Sequence, residues 1–247
     1  GRATGYSPAV PLLIFTVMHA LSIIVPVYNE ERTVAEILRR LLALPLPAGH
    51  RKEVIVVNDG STDGTRDELV PFFSQIIYRE HEKNLGKGAA LCTGISLATG
   101  EFVGIQDADR EYAPEEILNL IKELIVHPEW SAVFGSRNLA PSRRGYGTYI
   151  LGVWFLTKLV NLCFDGTLSD VYTCQKLIRR SALRALNLQS CGFEIEMEIT
   201  ARLLKSGNRI GEIPIWYHPR THGEGKKIRP IDGLRGLLTL FRIRFGR

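Results

Sequence analysis

Five short runs dominated by apolar residues, each followed by a longer stretch of helical character, constrain this chain more than any other feature. They are LSIIVPV (21–27), EVIVVND (53–59), IIYRE (76–80), EFVGIQD (101–107) and SAVFGS (131–136). A strand with one face in water alternates polar and apolar residues, whereas a strand covered on both faces does not. Helical patterns fill the intervals at Glu31 to Leu44, after Ser61 or Thr62 as a cap, at Gly86 to Ala98 and at Pro114 to Val126. Helices that return the chain between covered strands predict an α/β sandwich of Rossmann type with a mostly parallel central sheet.

Beyond Arg137 the pattern loosens. A polar loop, NLAPSRRGYG, leads to a long apolar helix from about Tyr146 to Phe164, a strand at Lys176 to Arg179 and a helix from about Phe193 to Lys205. A strand at Arg209 to Tyr217 and an amphipathic helix from about Ile231 to Phe245 follow. No repeat or linker divides the chain, and 247 residues with 45% hydrophobic content suit one large core. The expectation is one domain over residues 18–247, with Gly1 to Val17 set aside as an extension or tag because Met18 can begin the native chain.

Charge is uneven. The net charge is +5, and Lys226 to Arg247 carries seven Lys/Arg against Asp232 alone, so the remainder is near neutral. Such a tail suits nucleic acid, anionic lipid or a phosphorylated substrate. Cys92, Cys163, Cys174 and Cys191 have neither close pairing nor metal-ligand spacing, which points to free thiols in a reducing compartment. Val10 to Val27 and Tyr149 to Phe164 fall short of the ~20 uninterrupted apolar residues of a membrane span, and no cleavage site marks a signal peptide. The histidines are scattered; His218 and His222 alone share a local segment, which reads as loop rather than zinc site.

Ligands of open parallel sheets bind beyond the carboxyl ends of the strands. There the sequence places PVYNE, NDGSTDGT, NLGKG and QDAD. Asp107 and Asp109 flank one alanine, and like charges so close favour a divalent cation with oxygen ligands, Mg²⁺ or Mn²⁺, completed by a diphosphate. Capping of the next helix or simple solvation is the bland reading of a D-x-D. Asp59, beside Gly60, can accept hydrogen bonds from a base or ribose, while Asp63 reads as an Asx-turn or cap. Asn84 to Gly88 opens a helix whose N–H groups and Lys87 can face phosphate. The full G-x-x-x-x-G-K-[ST] and G-x-G-x-x-G patterns are absent, which disfavours P-loop and nicotinamide enzymes.

The ordered series SIIVPVYNE, EVIVVNDGSTDGT, NLGKGAAL, ATGEFVGIQDAD, FGSR, SDVYTCQKLIRR, GFEIEMEI and GEIPIWYHPRTHGEGKK resembles the inverting family 2 glycosyltransferases, in particular the dolichyl- or polyprenyl-phosphate mannose and glucose synthases. The resemblance runs from about Leu21 to Leu240. It implies a GT-A fold with a nucleotide-sugar half over about 21–137, an acceptor half over about 138–229 and a C-terminal amphipathic helix over about 230–247. By the same resemblance Pro26, Tyr28, Glu30 and Asp59 contact the nucleoside, Lys87 lies near it or its phosphates, Gln106 lines the pocket, and Asp107 with Asp109 holds the metal. Arg137, Arg220 and Lys226 look like the phosphate-binding residues of the acceptor site, and no nucleic-acid partner is implied.

A phosphomonoester is largely dianionic at neutral pH, so a polyprenyl phosphate needs cationic positioning more than a strong base. Two departures from the family pattern stand out. Tyr146 to Thr157 has no basic residue where relatives often present an arginine, leaving Arg143, Arg144 or Lys158 to substitute, and Glu111 occupies a place where relatives often have Gln. The implied enzyme moves mannose or glucose, with inversion, from GDP-mannose or UDP-glucose to the lipid at the cytosolic membrane face. Its last helix either lies on lipid or packs on the protein's own core. Two alternatives stand beside it. One is transfer to a sugar hydroxyl with Asp170, Glu194 or Glu196 as base. The other is a non-catalytic nucleotide-sugar sensor or subunit, for which a membrane-anchored partner would supply the anchor.

Overall fold

The computed structural model describes residues 20–46, 49–140, 147–220, 227 and 229–246. In chain order the strands are β1 (Ala20–Val27), β2 (Arg51–Asn58), β3 (Ile77–Glu80), β4 (Phe102–Ile105), β5 (Ala132–Ser136), β6 (Lys176–Arg179) and β7 (Ile210–Pro214). The helices are α1 (Val34–Ala43), α2 (Thr65–Leu69), α3 (Lys87–Leu97), α4 (Glu116–Val126), α5 (Gly147–Phe164), α6 (Arg180–Arg184), α7 (Ile195–Lys205) and α8 (Pro230–Phe245).

The strands form one sheet in the order β3-β2-β1-β4-β6-β5-β7. All neighbours are parallel except at β6, which runs antiparallel to both β4 and β5. The mostly parallel sheet and a strand at Lys176 to Arg179 are as expected; the antiparallel insertion of that strand between β4 and β5 was not readable from pattern. Along β1 and β2 successive residues enter opposite layers: Ile24, Ile55 and Val57 join one core, and Ile23, Val25, Val54 and Val56 the other. That period-2 division of wholly apolar strands is why both faces carry helices. Helices α3, α5, α7 and α8 supply the first core, and α1 and α4 the second.

Local chemistry sets the helix starts. Residues 31–33 turn rather than helix, with the N–H groups of Thr33 and Val34 both donating to the Glu30 carbonyl. Neither Ser61 nor Thr62 caps α2. Asp63 does the local work instead, Oδ1 accepting from the Thr65 N–H at 3.0 Å, while the Ser61 hydroxyl accepts from the Asn29 N–H. The free face expected at the start of α3 is also partly taken, because the Ala89 N–H donates to the Cys191 carbonyl. No helix among the described residues is long and apolar enough to cross a membrane.

Helix α3 approaches β1 through Gly94, where an added Cβ would lie 2.4 Å from Ile24 Cγ2. Ile24 is β-branched and fully buried, so it has little room to yield. This close approach fixes the helix that begins with Lys87. Gly94→Val is expected to lower the unfolding free energy by about 1–3 kcal/mol, the usual penalty for overpacking a filled core, measured by urea denaturation.

Candidate active site

Strands β1, β2 and β4 are parallel and run to one edge, β1 and β2 ending with Val27 opposite Asn58 and β4 ending earlier, with Ile105 opposite Ile24. Strand β5 ends at the same edge, since two antiparallel steps separate it from β4. The segments that follow therefore bring Tyr28, Glu30, Asp59, Asp107, Asp109 and Arg137 to one rim.

Two cations meet the paired aspartates from different parts of the chain. The Lys87 ammonium lies 2.7 Å from Asp107 Oδ1 and 3.0 Å from Glu196 Oε1. Glu196 Oε2 pairs in turn with Lys176, whose ammonium also donates to the Thr173 carbonyl and sits 5.0 Å over the Phe134 ring. On the other side Arg220 lies 2.6 Å from Asp109 Oδ2 and 3.2 Å from Glu30 Oε2. Lys227 reaches Glu30 Oε1 at 2.6 Å and the Tyr28 carbonyl, with its ammonium 5.7 Å from the Tyr28 ring centroid.

These pairings leave Asp109 short of positive charge. Burial, then the charges of Asp107 and Glu111, raise its pKa to about 7 against the opposing pull of Arg220. Hard oxygen donors in charge excess suit Mg²⁺ or Mn²⁺. Among the described residues no group of three or more His, Cys, Asp or Glu is arranged to hold an ion. The donor set thus fits a cation that takes one or two carboxylates from the protein and its remaining ligands from a bound diphosphate and water.

Other residues singled out from sequence sit differently from expectation. Gln106 is fully buried, its amide donating to the carbonyls of Asp107 and Tyr112 and accepting from Gln175, so it supports the rim from beneath rather than lining it. Asp59 spends its carboxylate inside the protein. It accepts from the N–H groups of Leu85 and Gly86 at 3.0 and 2.8 Å and pairs with His81 Nδ1 at 2.6 Å. It thereby holds the NLGKG segment in place. Pro26 and Tyr28 are half-buried at the end of β1.

Arg137 forms a two-pronged pair with Asp170, at 2.7 and 2.8 Å, and stacks 5.2 Å from the Tyr217 ring centroid. The Asp170 carboxyl is held below its ordinary range: burial opposes ionisation, but the Arg137 charge and hydrogen bonds outweigh it. Glu196, under the same contest, is lowered to about 2 by Lys176 and Lys87. Both candidate bases are thus already engaged by cations. Glu194 accepts from the Gly192 N–H at 3.0 Å. Glu111 accepts from the Tyr217 hydroxyl and the Arg220 N–H, tying the C-terminal segment to the loop after β4.

Lys226, Arg143 and Arg144 lie outside the described residues, and Lys158 is exposed on α5. Sequence reasoning missed Lys227, Lys176 and His81. A lysine heading β6 directly before the apolar pair Leu177 and Ile178 was the one available signal, since such a charge must find a buried partner.

The glycosyl transferase family 2 model matches residues 22–186. The dodecaprenyl-phosphate galacturonate synthase of Rhizobium johnstonii is 28% identical over 212 residues, which cover 83% of this chain and 61% of that protein. The undecaprenyl-phosphate 4-deoxy-4-formamido-L-arabinose transferase of Pseudomonas fluorescens is 31% identical over 229 residues, covering 85% and 60%. The chain thus spans about three fifths of the length of these curated relatives. The crystal structure of glucosyl-3-phosphoglycerate synthase from Mycobacterium tuberculosis with Mn²⁺ and UDP-glucose superposes with a TM-score of 0.71 at 18% identity, covering 92% of this chain and 79% of that one. That likeness is one of fold. With the fold GT-A and two thirds of its length matched by one family model, the chain belongs to glycosyl transferase family 2.

Proposed function

We propose that this chain transfers a sugar, mannose or glucose in the first instance, from a nucleoside diphosphate to a polyprenyl phosphate with inversion at the anomeric carbon. The observation that carries this reading is the state of the carboxylates. Of the three carboxylates named as bases for a hydroxyl acceptor, Asp170 and Glu196 are locked in ion pairs with Arg137, Lys87 and Lys176, and Glu194 accepts from the Gly192 N–H. A phosphate dianion needs no such base, and the names of the two relatives with polyprenyl-phosphate acceptors support the same class.

In this mechanism Asp107 and Asp109 would hold a divalent cation, which would neutralise the leaving diphosphate as a Lewis acid. Lys87 adds a fixed positive charge at the same strand end. Arg137 and Arg220 orient the acceptor phosphate, guanidinium groups matching its oxygens in pairs. Lys226 joins them by family resemblance. Pro26, Tyr28, Glu30 and Asp59 shape the nucleoside side, with Asp59 acting through the segment it fixes.

The acceptor is a lipid, and the exposed faces suit one. Helix α5 exposes Leu151, Trp154, Phe155 and Leu162, and α8 exposes Ile231, Leu234, Leu238, Phe241 and Phe245. Arg235 and Arg242 are exposed on α8 as well, while Leu240 and Ile243 pack into the core. The helix thus serves two surfaces, one inward and one available to an anionic membrane.

Three measurements test this reading. A mass-spectrometric product assay offers GDP-mannose, UDP-glucose and nucleotide-linked galacturonate and 4-deoxy-4-formamido-L-arabinose with a polyprenyl phosphate. A glycosyl-phosphoryl-lipid that disappears with EDTA is expected, with transfer reduced about 10²-fold or more in Asp109→Asn. Nucleotide binding without lipid product from any donor would favour the hydroxyl acceptor or a sensor.

The second measurement is thermal melting against pH. An acid whose folded pKa is about 7 against an ordinary 3.8 binds more protons folded than unfolded, so its contribution falls as pH rises across that window. Asp109→Asn is therefore expected to melt higher than the unaltered protein in metal-free buffer at about pH 8, and to lose the stabilisation that Mn²⁺ gives the unaltered protein. The third is cosedimentation with anionic vesicles. Trp154→Glu with Leu238→Glu is expected to weaken it by tenfold or more, on the basis of ~1.5–3 kcal/mol per large apolar side chain buried, without lowering the melting temperature.

A further inference from the structure

Lys87 does not stand alone at the rim. Its ammonium is divided between Asp107, which faces the site, and Glu196, which is 2% exposed and sits in the first turn of α7. Glu196 is divided in its turn between Lys87 and Lys176, a lysine with no exposed surface. The chain Asp107, Lys87, Glu196, Lys176 is neutral as a whole. It runs from the rim into the core, and its inner end has no access to solvent.

A buried chain of ions is weak evidence for stability, since apolar side chains of the same volume commonly hold a core equally well. Its geometry argues for a task at the open end. A lysine head on a four-carbon stem has many rotamers, and a single counter-charge that is drawn elsewhere leaves it free to swing. Asp107 is such a counter-charge on the donor-site reading, because a cation would claim its carboxylate. Glu196 is not, because it lies behind Lys87 on a rigid helix and is itself oriented by Lys176.

We propose that Glu196, held in place by Lys176, is a positioning residue that keeps the Lys87 ammonium aimed at the diphosphate of the nucleotide donor when Asp107 turns its charge to a cation. This rests on the donor-site reading given above. It assigns the GFEIEMEI and YTCQK segments to donor binding, although both follow the strands that carry the donor motifs. With Asp107 engaged elsewhere, one carboxylate serves two ammonium groups. The surplus positive charge is then directed to the rim, where a diphosphate would lie.

The test is calorimetric binding of UDP and GDP, and of uridine and guanosine, in the presence of Mn²⁺. Glu196→Gln alone strands the buried Lys176, so the variant of choice is Glu196→Gln with Lys176→Met, which removes both buried charges. It is expected to bind the nucleoside as the unaltered protein does and to lose about 10- to 100-fold in diphosphate affinity, the range typical of residues behind a ligand-binding group. Lys87→Met should show the same loss, and combining all three changes should add nothing further, because the effects pass through one ammonium.

Unchanged diphosphate affinity would overturn the inference. So would equal losses for nucleoside and diphosphate, which would mark a structural role, or additive losses with Lys87→Met. If the double variant does not fold, Glu196→Asp draws the carboxylate back by one methylene while keeping its charge, and the same selective loss is required of it. Failure of the unaltered protein to bind either UDP or GDP would overturn the donor-site reading itself, a result distinct from binding that ignores Glu196.

Discussion

Repulsion between two carboxylates one residue apart is the condition around which this rim is built. Asp107 and Asp109 emerge from β4, the strand at the middle of the sheet, and each is answered by a cation from a different region of the chain. Lys87 arrives because α3 packs against β1 through a glycine. Arg220 arrives because Tyr112 and Tyr217 form a bridge and Glu111 holds the backbone of the segment that follows β7. The antiparallel β6 belongs to the same arrangement, since it lies beside β4 and delivers Lys176 beneath the site. Fold and electrostatics are not separable here.

Much of this was legible in the sequence. The apolar runs became strands within three residues of their expected ends, and β6 matched at both ends. Covered strands announce themselves by lacking alternation, and long helices by their period. What failed had physical causes. Helix α6 spans only five residues, too few for a period to show. The direction of β6 was invisible because a short apolar run reads the same either way. Gln106 was assigned to the pocket with Asp107, yet its N–H continues the ladder to Ile24, so neighbouring side chains leave on opposite sides.

The polar site was legible as membership and not as pairing. Asp59, Glu30, Lys87, Asp107, Asp109, Arg137 and Arg220 were all named, but who neutralises whom depends on contacts between residues up to 197 positions apart. Asp59 illustrates the limit. Its surroundings in sequence suit a ligand contact, whereas its bonds to Leu85, Gly86 and His81 make it the keystone of a loop. Arg137 is similar, since its guanidinium is already met by Asp170 and stacked on Tyr217. An arginine so restrained keeps its planar group oriented, which on the proposed acceptor role would lower the entropy lost on binding a phosphate.

The span of these ion pairs also bears on how the chain acquires its structure. Glu30 is synthesised 190 residues before Arg220 and 197 before Lys227, and Asp109 precedes Arg220 by 111. Strands β1 to β4 form the earlier part of the sheet from local βα units, within which Lys87 meets Asp107, but Glu30 and Asp109 stay uncompensated until the distant cations dock. Contacts of such high order close late, after loop entropy has been overcome elsewhere. Completion of the rim is therefore a report on the folding of nearly the whole chain, and an immature molecule carries Glu30 and Asp109 without their counter-ions.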